Sequence, residues 1–147
     1  MLLSKSCQYA IRAMVFIHNQ TRHDDRKIGI PEIAKGISSP VHFTAKILQV
    51  LSKGGMIFSQ KGPGGGFKLN ENTSEVCVLD IIEAIEGPQF CDRCLLGLPN
   101  CSDSKPCPSH YTYKPIRFEL KKMFQETTIG FLSDNMEKES ELFRLGD

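Results

Sequence analysis

The sequence predicts a mostly α-helical chain with one small β-hairpin, arranged as a winged helix-turn-helix domain followed by a long C-terminal helix. Three observations carry this. Helical apolar spacing recurs over the first fifty or so residues in the order helix, short helix, helix. The run Lys61-Gly62-Pro63-Gly64-Gly65-Gly66 follows directly and reads as a turn between two short strands, because so many glycines hold neither a helix nor a strand interior. A further amphipathic stretch then lies beyond a loop rich in Cys, Pro, Gly and Ser.

The first helix spans about Ser4 to Gln20, with Ala10, Ala13, Met14 and Ile17 on one face. The second carries Ile30, Ile33, Ala34 and Ile37 at i, i+3, i+4, i+7, with Pro31 in its first turn. The third spans about Pro40 to Lys53, with Phe43, Ile47, Val50 and Leu51 inward, and Gly54-Gly55 ends it. Residues 56–60 and Phe67-Lys68-Leu69 are the strands of the hairpin. Another helix covers Leu79 to Glu86, burying Ile81, Ile82 and Ile85, and Gly87-Pro88 stops it. Residues 88–109 show no periodicity. The long helix covers Tyr113 to Glu126 with Ile116, Leu120, Met123 and Phe124 as its stripe, and Thr127-Thr128-Ile129 restarts a short helix at a bend. The chain divides into residues 1–87, a cysteine-rich loop 88–112, a helical region 113–134 and a charged tail 135–147.

The net charge of +1 conceals an asymmetry. Residues 1–70 carry 10 Lys+Arg against 3 Asp+Glu, a net +7, and residues 71–147 carry a net −6. A basic half of this kind points to a polyanionic partner, here double-stranded DNA. On the third helix His42, Lys46, Gln49 and Lys53 share the face opposite the apolar stripe, so the helix can dock on the domain while offering donors to a major groove. Its N-terminal turn offers Ser39, His42, Phe43 and Thr44 as base-contact candidates. Lys46, Lys53, Lys61 and Lys68 are candidates for phosphate, with Gly64 and Gly65 allowing the hairpin tip a close approach. A phosphate loop is disfavoured, since no strand–GxxxxGK[ST]–helix order is present.

Of the six cysteines, Cys91, Cys94, Cys101 and Cys107 fall within 17 positions, with His110 three residues beyond. Thiolates are soft ligands suited to iron–sulfur clusters or zinc. A structural zinc site favours paired CxxC units, and only Cys91–Cys94 is present. Reversible disulfide chemistry without metal is the other alternative. Cys7 and Cys77 sit in apolar patterns and read as inert thiols. No catalytic constellation stands out, so the chain reads as no enzyme; a thiol oxidoreductase needs its CxxC at a helix start beside a βαβ unit. A pure protein-interaction module is the remaining alternative. No stretch approaches the roughly 20 apolar residues that span a bilayer, and the N-terminus lacks a signal-peptide apolar region, so the expectation is a cytoplasmic protein with no membrane partner.

In combination the motifs resemble the Rrf-type (Rrf-two) family of bacterial winged-helix transcriptional regulators, which are IscR-, NsrR- and CymR-like. The residues that carry the resemblance are Tyr9–Ala13, Ile30–Ala34, Lys46–Leu51, the wing Gly62–Phe67, Asp80–Gly87, and the run Cys94, Cys101, Pro106-Cys107-Pro108, His110, and it covers about residues 1–133. It implies a homodimer joined through the long helix, reading a partly palindromic promoter operator, most often as a repressor. It also implies a 2Fe–2S centre, or a 4Fe–4S centre, on Cys94, Cys101 and Cys107. The fourth ligand by resemblance is His110 or a residue of the partner's first helix, with Cys91 as a competing ligand. The chain departs from the family where a Glu is common in the third helix, having Ala45, in Ser39-Pro40 before that helix, and in the additional Cys91.

Overall fold

The protein's structure, a computed structural model, describes residues 2–136. Helix α1 (Lys5–Thr21) is started by Ser4, whose hydroxyl accepts the Cys7 amide at 3.2 Å. Its buried face, Ala10, Ala13, Met14 and Ile17, is small enough near the N-terminus for other helices to approach closely. Helix α2 (Ile30–Gly36) has proline in its first turn and ends at Gly36, where a Cβ would overlap the Phe16 ring of α1. The turn to α3 places Ser38 in the left-handed region at φ 55°.

Helix α3 (Val41–Lys53) buries Thr44, Ile47, Leu48 and Leu51. This differs from the expected inward set. Phe43 is half-buried, edge-on to Tyr9 at 5.7 Å, and Val50 is exposed. The face presented to the core is the i, i+3, i+4, i+7 row beginning at Thr44, which places Val50 on the far side.

Strands β1 (Phe58–Gln60) and β2 (Gly66–Lys68) pair antiparallel, with Ser59 opposite Phe67. Residues 56 and 57, expected in the strand, belong to the exit from α3, whose Leu51 carbonyl accepts the Met56 amide. A third backbone piece joins the wing. Ile28 exchanges two hydrogen bonds of 2.8 Å with Phe67, so the α1–α2 connection forms its inner edge. Gly66, at φ 138°, sits where a Cβ would lie 2.8 Å from the Ile28 carbonyl oxygen.

Helix α4 (Val78–Glu86) is capped reciprocally by Cys77 and Asp80, buries Ile81 and Ile82, and leaves Ile85 half-buried. The following loop is irregular except for one short helical turn, Phe90–Asp92. Helix α5 (His110–Glu126) begins three residues earlier than the periodicity suggested and accommodates Pro115. Its expected stripe splits. Phe124 is buried and Leu120 half-buried, whereas Ile116 and Met123 are exposed together with Tyr111 and Phe118.

A sharp elbow then leads into α6 (Ile129–Met136), the restart expected at Ile129. Val78 donates to Thr127 and Ile129 to Val76, at 2.9 and 2.8 Å, stitching the elbow to the segment that enters α4. Buried His18 of α1 holds Ser133 of α6 and Ser74, at 2.7 and 2.8 Å. The core gathers α1–α4 and α6 around Met14, Ile17, Ile33, Leu48, Ile81 and Ile129. Among the described residues no helix is long and apolar enough to cross a membrane. The charged tail expected at 135–147 lies outside the described residues from 137 onward.

Candidate functional site

Two regions carry the chemistry. In the first, α3 and the wing face each other across a groove of about 610 Å³, with Lys46 and Gln49 on one wall, Lys61 and Gly65 on the other, and Pro31 and Phe67 at its floor. His42, Lys46, Gln49, Lys53, Lys61 and Gly64 are exposed, so their donors are available to a ligand. Gly65 is packed so closely that a Cβ there would overlap the Gln60 carbonyl oxygen, which gives the wing its thin section.

The remaining candidates on this surface need correction. Thr44 is fully buried and its hydroxyl donates to the Pro40 carbonyl at 2.9 Å, so it shapes the start of α3 instead of reaching a base. The Ser39 hydroxyl is buried and, among the described residues, without a hydrogen-bond partner, so it faces the protein and offers nothing outward. Phe43 is committed to Tyr9. Lys68 pairs with Asp25 and lies 5.3 Å over the Phe58 ring, so its charge is already compensated at the wing base. That ion pair holds the Asp25 carboxyl below its ordinary range. One contributor was missed. Lys27 reaches the Gly64 carbonyl at 3.4 Å and adds a cation to the wing tip. The signal for it was Ile28, had that residue been read as a wing strand.

The second region is the cysteine loop. The Cys94 sulfur is ringed by backbone amides, those of Leu98 and Leu96 foremost and then Gly97, with the Cys107 thiol beside it. Those amides, against the opposing effect of burial, lower its thiol pKa. Cys101 lies 3.3 Å from His110 Nδ1 and 3.3 Å from the Arg117 guanidinium. His110 is buried at the head of α5, and its Nε2 is 2.7 Å from an Asp103 carboxylate oxygen. Asp103 also takes Lys114 at 2.8 Å, and Lys114 first, then His110, holds its carboxyl low. The loop is tied to α5 where the His110 amide donates to the Cys107 carbonyl at 3.0 Å.

Cys91 is elsewhere. The Phe90–Asp92 turn drops it into an apolar cluster with Cys7, Val78, Ile82 and Phe124, and burial pushes its thiol up. Cys91 thus packs against core side chains, whereas Cys94, the other half of the CxxC unit, lies among loop amides. Cys7 is buried as expected, its thiol pushed up to about 11 by desolvation. Cys77 is not a core thiol; it caps α4 and contacts Asp80 at 3.1 Å.

The donor chemistry of Cys94, Cys101, Cys107 and His110 fits an iron–sulfur group: three thiols, one with its pKa lowered by backbone amides, and an imidazole oriented by a carboxylate. These side chains stand as two neighbouring pairs, and among the described residues no three His, Cys, Asp or Glu groups are already gathered tightly enough to hold a metal ion.

Comparison with known proteins decides the family. The Rrf2 family of iron-dependent transcriptional regulators matches residues 3–135. An HTH-type transcriptional regulator of Aquifex aeolicus is 33% identical over 140 residues, covering 94% of this chain and 95% of that one. The chain belongs to the Rrf2 family.

Another similar relative is the regulator IscR of Klebsiella pneumoniae, 24% identical over 93% of this chain and 82% of its own length. Among solved structures, CymR of B. subtilis, titled the global cysteine regulator, superposes with a TM-score of 0.72 at 20% identity, covering 90% of this chain and 96% of that one. T. potens IscR gives 0.68 at 16% identity over 99% and 92%. These two show the fold, a winged helix with a helical C-terminal arm. As an Rrf2 member the chain is a transcriptional regulator and not an enzyme.

Proposed function

We propose that this Rrf2-family regulator is a cytoplasmic repressor that binds double-stranded promoter DNA as a homodimer, with operator affinity set by the state of residues 88–112. The observation that carries the reading is the groove between α3 and the wing, which brings the donors of Lys46, Gln49 and Lys61 to one surface. In this reading residues 1–87 are the DNA-binding unit and 113–134 the dimerisation region. The tail, 135–147, takes no assigned role. His42 and Gln49 reach base edges, Lys46 and Lys53 position the helix on phosphate, and Lys61 with Gly64 and Gly65 brings the wing against the backbone. The exposed apolar side chains of α5, Tyr111 with Phe118 on one face and Ile116 with Met123 on another, support a second copy as the cover of this helix.

Cys94, Cys101 and Cys107 would hold an iron–sulfur cluster, 2Fe–2S in preference to 4Fe–4S, with His110 as the fourth ligand. When bound, the cluster supplies a redox-sensitive tie between loop and helix. The chain's own residues do the rest. Asp103 and Lys114 fix the His110 ring at the head of α5. The elbow at Thr127–Ile129 carries any shift of α5 to Val76–Val78, and His18 with Ser133 carries it to α1, against which α3 packs. A coupling of about 1–3 kcal/mol through this route is sufficient for regulation. The second reading, a thiol switch without metal, is favoured by the hydrogen bond between the Cys107 and Cys94 thiols; a zinc site is disfavoured by the packing of Cys91 in the apolar cluster.

Fluorescence anisotropy with promoter fragments at several salt concentrations tests the DNA-binding surface. Lys46→Ala and Lys61→Ala are each expected to weaken binding on every sequence and to reduce the salt slope by about one. Gln49→Ala is expected to relax discrimination at one base pair by about 1–3 kcal/mol. Salt-independent binding, or unchanged binding in all three variants, speaks against the surface.

A further inference from the structure

The cysteine loop holds a second chemistry in its metal-free form. Cys94 borders a crevice of about 190 Å³, open between Gln89, Arg93, Leu98 and Pro99, and the Cys107 thiol is its side-chain hydrogen-bond partner. One thiol therefore has both an entry for a small reactant and a thiol neighbour able to displace it. The other cysteines are placed differently. Cys101 borders the crevice too, but its sulfur is engaged by His110 and Arg117. Cys7 is sealed in the apolar cluster around Phe124, and Cys91, in the same cluster, borders a different cavity, beside Lys114, Arg117 and Lys121. The chain between the pair is exposed through Leu95–Asn100 and Asp103–Pro106, with Gly97 at φ 71°, so it resists a small adjustment of the two sulfurs little.

We propose that Cys94 is a modification site for a low-molecular-weight disulfide, and that Cys107 resolves the adduct into a Cys94–Cys107 disulfide that blocks cluster uptake. The Cys94 sulfur, giving up its proton, attacks one sulfur of the reagent RSSR. The reagent S–S bond breaks, a Cys94–S–S–R bond forms, and RS⁻ leaves and takes the proton. The Cys107 sulfur then attacks the Cys94 sulfur, the mixed disulfide breaks, and the second RSH leaves with the Cys107 proton. Two protein thiols are oxidised by two electrons and one reagent disulfide is reduced to two thiols. Two of the three sulfurs assigned to the cluster are consumed, so the oxidised chain and the cluster-bound chain exclude one another. This rests on the reading of the loop as the sensor.

The test uses the full-length, cluster-free, reduced chain under anaerobic conditions with oxidised glutathione, read by intact mass and by disulfide-linked peptide mapping. The wild type is expected to lose two hydrogens in mass and to show one cross-link, Cys94 to Cys107. Cys107→Ser is expected to stop at a glutathione adduct on Cys94, and Cys107→Ala provides the same arrest without a hydroxyl. Cys94→Ser is expected to give neither adduct nor cross-link at Cys107. The oxidised wild type is expected to take up less than a tenth of the iron and sulfide bound by the reduced chain until a dithiol restores it. A cross-link involving Cys101 or Cys91, a first adduct on Cys107, or no reaction overturns the inference. If the reduced chain itself takes up no iron, the sensor reading fails on that count, while the cross-link map still decides the pairing.

Discussion

Gly66→Ala is expected to disable the wing while leaving the helices folded. Gly66 has φ 138°, a region that L side chains rarely adopt, and a Cβ there lies 2.8 Å from the Ile28 carbonyl oxygen, which belongs to backbone and has nowhere to go. The combined cost is about 3 kcal/mol, at the upper end for a strained backbone residue. It falls where β2 pairs with both β1 and Ile28. The paired amides of Ile28 and Phe67 should then lose protection from hydrogen exchange, while those of the Leu48 and Ile81 segments keep theirs. DNA affinity should fall at least about tenfold, roughly 1.4 kcal/mol, because Lys61 loses its placement opposite α3. Protected Ile28 and Phe67 amides with full affinity contradict this account of the wing.

Phe118→Glu is expected to separate the dimer without unfolding the protomer. Phe118 is 67% exposed on α5 and shares a face with Tyr111, two turns earlier and 69% exposed. A charge in place of an exposed ring costs the isolated chain little, within about 0.5 kcal/mol. In an interface formed by this face the same charge is buried without a partner, at a cost of several kcal/mol. Sedimentation should show a monomer with an unchanged melting profile at the level of its helices. Affinity for an operator with two half-sites should drop by about a hundredfold or more, since joining two modules contributes that much without new contacts. A variant that remains dimeric places the interface elsewhere.

The legible parts of the fold were local. Alanine and isoleucine spacing located α1 and α2, and the glycines at 62–66 located the hairpin, because each signal is complete within a few residues. What stayed hidden was decided at a distance. Ile28 reads as a loop residue until Phe67 pairs with it. Thr44 reads as a polar, outward residue until its hydroxyl is seen to be satisfied by Pro40 within the same turn, which lets a threonine stand in the core. The stripe of α5 has helical period, but periodicity does not say whether the apolar face is covered by this chain or another.

The candidate site divides in the same way. The clustering of Cys94, Cys101, Cys107 and His110 was visible as spacing. The separation of Cys91 from Cys94 was not, because a single short helical turn sends one thiol into the core and leaves the other among backbone amides. Asp103, which sets the His110 ring, and Asp25, which neutralises Lys68, gave no sequence signal beyond their charge.

The claim that the cysteine loop sets operator affinity through α3 and the wing is tested most directly by one comparison. A single anaerobic preparation is split into cluster-bound and metal-free halves, and each is titrated onto the same promoter fragment at the same salt, with iron and sulfide measured on both. The account predicts affinities that differ by about 5- to 150-fold, the range of a 1–3 kcal/mol coupling, and a Cys101→Ser chain that binds as the metal-free half does whatever iron is offered. Equal affinities in the two halves, with the iron and sulfide contents confirmed to differ, contradict it.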